Sequence, residues 1–245
     1  VNDGCDLFDI DDLRDEYSED EFNNLFMCHF IDDQVSAFKL NKLQQCANDC
    51  IYENVDLEAD RPVGNRPVWV GYDPARTRDN SVLVVVLPPL APELHHKVIE
   101  KFVWLDKSYK WQGDRIKELF DNRYNIEHMG IDVSGQGRGV FDIVEDFYSQ
   151  ATPITYSPER KTELILKTKD LMDAGDLLWP ADWIDMPRSF LMIKQDVTAN
   201  GQTTYKATRN NANGHADIAW SLMHAIDKNK LNRNKTRKST WGIAA

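Results

Sequence analysis

Three aspartates stand where a sequence built only for burial has little use for them: Asp73, Asp132 and Asp217. Asp73 closes the apolar run Val68-Trp69-Val70-Gly71-Tyr72, and Asp132 sits within Met129-Gly130-Ile131-Asp132-Val133, so each lies at or near the carboxyl end of an expected strand. A carboxylate in such a place is costly unless it is paired or holds a metal. Asp217 falls in the first turn of an expected helix whose other face is apolar, through Ile218, Ala219, Leu222, Met223 and Ile226. Three aspartates without a His or Cys partner make an oxygen-only donor set, which suits Mg²⁺ or Mn²⁺. Two such ions can clamp the attacking and leaving oxygens of a phosphodiester, so the chemistry implied is hydrolysis by a metal-activated water.

Each acid has a plainer reading when taken alone. Asp73 before Pro74, and Asp132 before Ser134-Gly135, suit turns. Asp217 suits the positive end of a helix dipole. Their joint placement favours a site. Asp79 is a candidate further ligand. Arg76, Arg78, Arg138, Lys206, Arg209 and His215 are candidates for holding a phosphate backbone beside it. Nothing resembles a base-reading helix, so weak sequence preference is expected.

The elements that must position these groups follow from periodicity. Val68 to Asp73 and Ser81 to Leu87 are β-branched runs, the second apolar enough for a strand covered on both faces. Lys97 to Leu105 reads as a third strand, His128 to Val133 as a fourth and Thr152 to Tyr156 as a fifth. Helical stripes appear at Asp114 to Tyr124, Val140 to Tyr148 and Glu159 to Ala174, the last ending at Gly175. Alternating runs at Phe190 to Thr198 and Thr203 to Thr208 flank Asn200-Gly201, a strong hairpin signal. A helix from about His215 to Asp227 closes the pattern. Three leading strands followed by strand and helix in alternation indicate an α/β domain on a mixed sheet. If the first three strands form an antiparallel meander and the fourth returns parallel beside the first, Asp73 and Asp132 flank the switch point where such sheets bind ligands.

Charge is divided unevenly. Residues 1–60 hold 17 acids against Arg14, Lys39 and Lys42, a net of −14, whereas residues 61–245 hold 26 bases against 23 acids, a net of +3, which together give the −11 of the chain. A weakly basic body with a tail rich in Lys and Arg from Lys228 onward is suited to phosphate. The expected organisation is an acidic helical appendage over 1–60, with stretches such as Glu19 to Phe26 and Ala37 to Cys50, a main domain over 61–227, and a basic tail over 228–245. All four cysteines lie in the acidic part: Cys5, Cys28, Cys46 and Cys50. Cys28, His29, Cys46 and Cys50 have irregular spacing for zinc, and buried reduced thiols are the favoured reading. No run approaches a membrane span and no signal-peptide pattern is present, so a soluble intracellular protein is expected. Val at position 1 suggests a piece of a longer polypeptide.

Gly71-Tyr72-Asp73-Pro74-Ala75 with Asp79-Asn80-Ser81, then Gly130-Ile131-Asp132-Val133-Ser134-Gly135-Gln136-Gly137, then Gly214-His215-Ala216-Asp217-Ile218-Ala219-Trp220, occur in one order with a hairpin before the last. Together they resemble the nuclease domain of tailed-phage large terminase subunits, over about residues 61–227. The resemblance implies an RNase H-like (RuvC-type) mixed five-stranded sheet flanked by helices, with Asp73, Asp132 and Asp217 as catalytic metal ligands. It further implies two Mg²⁺ or Mn²⁺ ions, and cutting of concatemeric double-stranded viral DNA in the cytoplasm of the infected bacterial host. The implied partners are an N-terminal packaging ATPase domain, the small terminase subunit and the portal, with no membrane. No G-x-x-x-x-G-K-[ST] occurs in the 245 residues, so ATP-driven translocation belongs to another part. In many family members the middle acid is Glu, so Asp132 has a shorter reach. Two other readings remain: a non-catalytic module docking portal or DNA, and an actin-like nucleotide-binding phosphotransferase using the Gly-rich loop after Asp132.

Overall fold

The computed structural model describes residues 36–49, 51–76, 80–91, 93–197, 203–207 and 216–230. The expected helical stretch Glu19 to Phe26 and residues 231–245 of the basic tail lie outside them.

Seven strands form one sheet: β1 (Ala47–Asn48), β2 (Pro67–Asp73), β3 (Ser81–Leu87), β4 (His96–Trp104), β5 (Asn125–Asp132), β6 (Thr152–Ile154) and β7 (Leu177–Pro180), in the order β1-β7-β4-β3-β2-β5-β6. The five expected strands form its unbroken run from β4 to β6. β2, β3 and β4 make the antiparallel meander, and β5 returns parallel to β2 with β6 parallel beyond it. Two short strands absent from the sequence reading widen the sheet past β4. Leu177 to Pro180 is too brief for periodicity to reveal, and its pairing partner lies far away in sequence.

All seven residues of β3 are buried, and they alternate between two cores. Val82, Val84 and Val86 face one core, whose other members include Leu164, Phe190, Leu222 and Met223. Leu83, Val85 and Leu87 face the second, against Ile116, Val140, Phe141 and Val144. The helices are α1 (Leu40–Cys46), α2 (Tyr109–Glu118), α3 (Arg138–Phe147), α4 (Pro158–Ala174), α5 (Asp185–Leu191) and α6 (Asp217–Ala225). α2 and α3 cover one face, and α1, α4, α5 and α6 the other. Ser157 caps α4, and Gly175 at φ 75° ends it in the left-handed conformation that glycine adopts without strain.

Several boundaries differ from expectation. α2 begins five residues early, at Tyr109, where Ser108 accepts the Trp111 N–H, and it gives way to a π-helical turn at Leu119–Arg123. Phe190 and Leu191 belong to α5 rather than to a strand, because Met186 and Phe190 are buried at helical spacing. The hairpin is β8 (Ile193–Val197) with β9 (Thr203–Ala207). From Ser36 the acidic part is built into the body: Phe38, Leu43 and Cys46 lie in the first core beside Trp179. Cys46 is buried, its Sγ–H donating to Lys42 O at 3.3 Å, and burial pushes its pKa up to about 12. Its candidate zinc companions Cys28, His29 and Cys50 lie outside the described residues. Among the described residues no helix is long and apolar enough to cross a membrane.

Candidate carboxylate site

Two glycines set how closely the helix that begins at Asp217 approaches the strands that end at Asp73 and Asp132. A Cβ on Gly71 would stand 1.8 Å from the Ser221 carbonyl oxygen and 2.4 Å from the Ala225 nitrogen, and one on Gly130 would stand 2.5 Å from the His224 carbonyl oxygen. Glycine on both neighbouring strands thus lets α6 lie directly on the sheet backbone. Ser221 Oγ donates to Val82 O at 2.7 Å, and Val82 is the register partner of Asp73. Since Lys228, just after α6, lies 5.5 Å over the ring of Trp69 near the start of β2, α6 runs antiparallel to β2 and turns its N-terminus toward the strand's carboxyl end. Asp217, the first residue of α6, is carried there.

The strands bring the other two acids. Tyr72 faces Ile131 in the parallel pairing of β2 with β5, so Asp73 and Asp132 stand next along neighbouring strands, about 4.8 Å apart. Tyr72 and Ile131 point into the second core, and alternation sends both aspartates to the α6 face. The loop after Asp132 is pressed inward: a Cβ on Gly137 would meet Asp132 O at 2.0 Å and Pro74 Cγ at 2.8 Å. On the far side, Ser81 Oγ donates to Ala75 O at 2.7 Å and accepts the Ala75 N–H at 3.1 Å, which fixes the exit from Asp73.

Asp132 is 9% exposed, and its Oδ1 accepts the Ser134 N–H at 2.7 Å. Burial raises its pKa above the usual carboxylate range, against smaller opposing effects from Ser134 and Lys161. Tyr156 packs against the first core, on the α6 face. Burial raises its phenol well above the ordinary value, and Asp73, Asp132 and Asp217 each add to that rise. Tyr156 is held by its N–H to Ser134 Oγ at 3.0 Å and by its hydroxyl, 2.8 Å from His224 Nε2. The fully buried His224 places Nδ1 3.1 Å from the Tyr72 carbonyl oxygen, which can only accept. Nδ1 consequently carries the proton, and Nε2 accepts from Tyr156. Burial lowers the His224 pKa to about 4, so the ring is neutral near pH 7.

Lys161, in the first turn and a half of α4, places its Nζ 5.0 Å from the Tyr156 ring centre and 5.7 Å from that of Trp220. It also donates to Tyr205 O on β9 at 3.4 Å, so the hairpin reaches the same place. Burial lowers its pKa and Lys206 adds to that effect, while Asp132 opposes it. Among the described residues, no three His, Cys, Asp or Glu side chains stand close enough to enclose a metal ion. The aspartates are thus gathered at one end of the sheet without being closed on a point. As donors they still fit a hard divalent cation, being oxygen-only and including one buried carboxylate whose charge the chain leaves under-compensated.

The expected phosphate-holding groups divide between two sides. Arg76 lies over the Tyr109 ring at 5.6 Å, and Arg138 pairs with Asp142 at 2.8 Å, both near the strand ends on the α2 and α3 face. Lys206 is on the hairpin, 2.5 Å from Asp196. Arg78, Asp79, Arg209 and His215 lie outside the described residues. Sequence reasoning missed Tyr156, Lys161 and His224. Lys161 did carry a signal, since a lysine near a helix N-terminus opposes the dipole.

Residues 70–229 match the profile of the family described as Terminase RNaseH-like domain. The chain is 41% identical over 226 residues to "Terminase, ATPase subunit" of Escherichia phage P2, covering 91% of this chain and 38% of that protein. It is 37% identical over 240 residues to "Probable terminase, ATPase subunit" of Haemophilus phage HP1, covering 97% of this chain and 39% of that protein. It therefore spans well under half the length of these relatives. Among solved structures, the magnesium-bound large terminase nuclease of thermophilic phage G20c superposes with a TM-score of 0.61 at 21% identity, over 80% of this chain and 98% of that one. The large terminase of bacteriophage HK97 gives 0.55 at 11% identity, over 78% of this chain and 43% of that one. These likenesses show a shared fold.

Proposed function

Because the chain belongs to the terminase RNaseH-like domain family, we propose that it is the metal-dependent endonuclease part of a phage DNA-packaging terminase, with Asp73, Asp132 and Asp217 as its catalytic carboxylates. Its reaction is phosphodiester hydrolysis in concatemeric double-stranded viral DNA, in the cytoplasm of the infected host. The observation that carries this reading is the placement of Asp73 and Asp132 side by side at the carboxyl ends of β2 and β5, with Asp217 opening the helix that lies on both strands.

Asp73, Asp132 and Asp217 would hold two Mg²⁺ or Mn²⁺ ions, with Asp79 as a further ligand. When bound, these ions supply an activated water and neutralise charge that develops on the phosphoryl oxygens. The chain's own residues supply position. Ser134 fixes one Asp132 oxygen and also accepts the Tyr156 N–H, and the Tyr156–His224 pair is neutral. Lys161 brings one positive charge to the Asp132 side, where it can meet a phosphate. Arg76 and Arg138 on one flank and Lys206 on the other, with Arg78, Arg209 and His215, would hold the DNA backbone. The relatives' ATPase, the small terminase subunit and the portal are the partners this role requires.

The test is cleavage of double-stranded DNA by the purified chain. Cutting is expected in Mg²⁺ or Mn²⁺, and EDTA, Asp73→Asn or Asp217→Asn should abolish it in folded protein. Undiminished cutting by either variant would refute the site. A second reading is a non-catalytic module that docks DNA or portal. Thermal melting separates the two: Mn²⁺ should raise the midpoint of the wild-type chain and not that of Asp73→Asn. A midpoint indifferent to Mn²⁺, with no cutting, would favour docking.

A further inference from the structure

Away from the carboxylates, three lysines from two distant segments close around one depression on the α1 and α4 side. Lys39 and Lys42 come from the start of α1 and Lys169 from the fourth turn of α4, and they help to line a cavity of about 420 Å³. Asp173 is the one acid among its described lining residues. It stands 3.6 Å from Lys42, with both side chains substantially exposed, so it offsets little of the charge. The walls thus hold about two positive charges in excess, in a chain whose formal net charge is −11. Lys169 is not loose on the surface. Its Nζ lies 5.6 Å from the ring centre of the buried Phe38, and burial lowers its pKa, with Asp173 opposing that shift and Lys39 adding to it by less. Crowded like charges are costly unless an anion enters between them.

The depression and the carboxylate site share α4. α4 carries Lys161 toward Asp132 and Lys169 eight residues later, about 80° around the helix and roughly 12 Å along it. The wall formed by Ser36 and Ala37 is bonded to the base of the hairpin: Ala37 N–H donates to Ile193 O at 2.8 Å, and Ser36 bridges to Lys194. We propose that Lys39, Lys42 and Lys169 form a remote anchor for the phosphate backbone of double-stranded DNA, which lies along α4 from this depression to the carboxylates. The identity of the ligand rests on the nuclease reading above. The positive excess and the geometry of the cavity do not.

The experiment is fluorescence anisotropy of a labelled duplex with the full chain in EDTA, over a range of NaCl, comparing wild type with Lys39→Gln/Lys42→Gln/Lys169→Gln. Each phosphate that the protein no longer neutralises should flatten the slope of log K against log salt by about 0.9. The triple variant should therefore be shallower by about 2 to 3, and should bind roughly tenfold or more weakly near physiological salt. Lys169→Met keeps an apolar stem over Phe38 and should still bind more weakly with a flatter slope, which separates charge from packing. An unchanged affinity and slope in a folded triple variant overturns the proposal. So does unchanged DNA binding accompanied by lowered thermal stability at low salt, which would assign the lysines to an acidic protein segment instead. In Mn²⁺ the triple variant should keep kcat while its KM rises. If wild type binds DNA through these lysines but never cuts it, the nuclease reading fails and the anchor stands.

Discussion

Asp132 and Asp227 are each 9% exposed, yet their carboxyl groups are shifted in opposite directions. Burial pushes Asp227 up, but Lys167 at 2.9 Å and Arg160 at 2.5 Å outweigh it, and the net shift is downward. Lys167 also donates to the Asp227 carbonyl oxygen at 2.7 Å, tying the turn after α6 to α4. At Asp132 burial wins, because the Ser134 N–H and the charge of Lys161 do not offset it. The difference separates two uses of a buried acid. Where the chain itself supplies the cations, the acid is part of the frame; where it does not, the site is left with a deficit that a bound cation can fill.

The largest test of this contrast is catalytic. Asp73→Asn, Asp132→Asn and Asp217→Asn should each lower the rate of DNA cutting by about a thousandfold or more, roughly 4 kcal/mol of transition-state stabilisation. Asp227→Asn should leave the rate in the folded fraction within a few-fold of wild type. Equal losses at both ends of α6, measured on plasmid linearisation, would erase the distinction. The next effect is on stability and runs the other way. Asp227→Ala removes the buried carboxylate shared by Lys167 and Arg160, both of which keep Glu163, and should cost about 1.5 to 3 kcal/mol in urea unfolding. A cost under about 1 kcal/mol would mean that the network is not holding the frame.

Much of this contrast is legible in the sequence, and the illegible part has a physical cause. Strand-end aspartates with apolar runs before them stand out because burial and charge conflict within a few residues. The meander and the parallel return of β5 follow from strand spacing. Gly71 and Gly130 are visible as letters, but their admission of α6 to the sheet depends on segments that the chain separates by more than half its described length. Tyr156 and His224 lack local signals for the same reason. The short β7 and α5 carry too few turns or alternations for periodicity, and β1 extends a sheet whose edge is set only by tertiary packing.

His224, between the two ends of the comparison, gives a pH test. Its folded pKa of about 4 lies below the ordinary 6.5 because burial penalises the imidazolium. The unfolded chain takes up a proton near pH 6.5 and the folded chain only near 4. The contribution of this residue is therefore fully present above about pH 6.5 and is lost as pH falls toward 4, about 3 kcal/mol over that window. Urea midpoints measured at steps from about pH 7 to about pH 4 should fall accordingly, and His224→Gln should flatten that fall. Parallel profiles for the two proteins would show that His224 does not carry it.

The smallest effect is the most direct reading of the deficit at Asp132. Asn at this position keeps an oxygen for the Ser134 N–H and removes the charge that burial penalises. In EDTA, Asp132→Asn should stabilise the folded chain by about 0.5 to 2 kcal/mol, a gain typical of relieving strain at a functional position. The sign can be checked against pH. A raised folded pKa means that the native carboxyl takes its proton before the unfolded one does, so wild type recovers stability as pH falls through the raised value. The advantage of Asn should accordingly be largest above that pH and shrink below it. With Mn²⁺ added the order should reverse, because the cation compensates the aspartate and has little to gain from the amide. A destabilised Asp132→Asn in EDTA would mean that the charge is already compensated within the chain, as at Asp227, and that the two buried acids are alike.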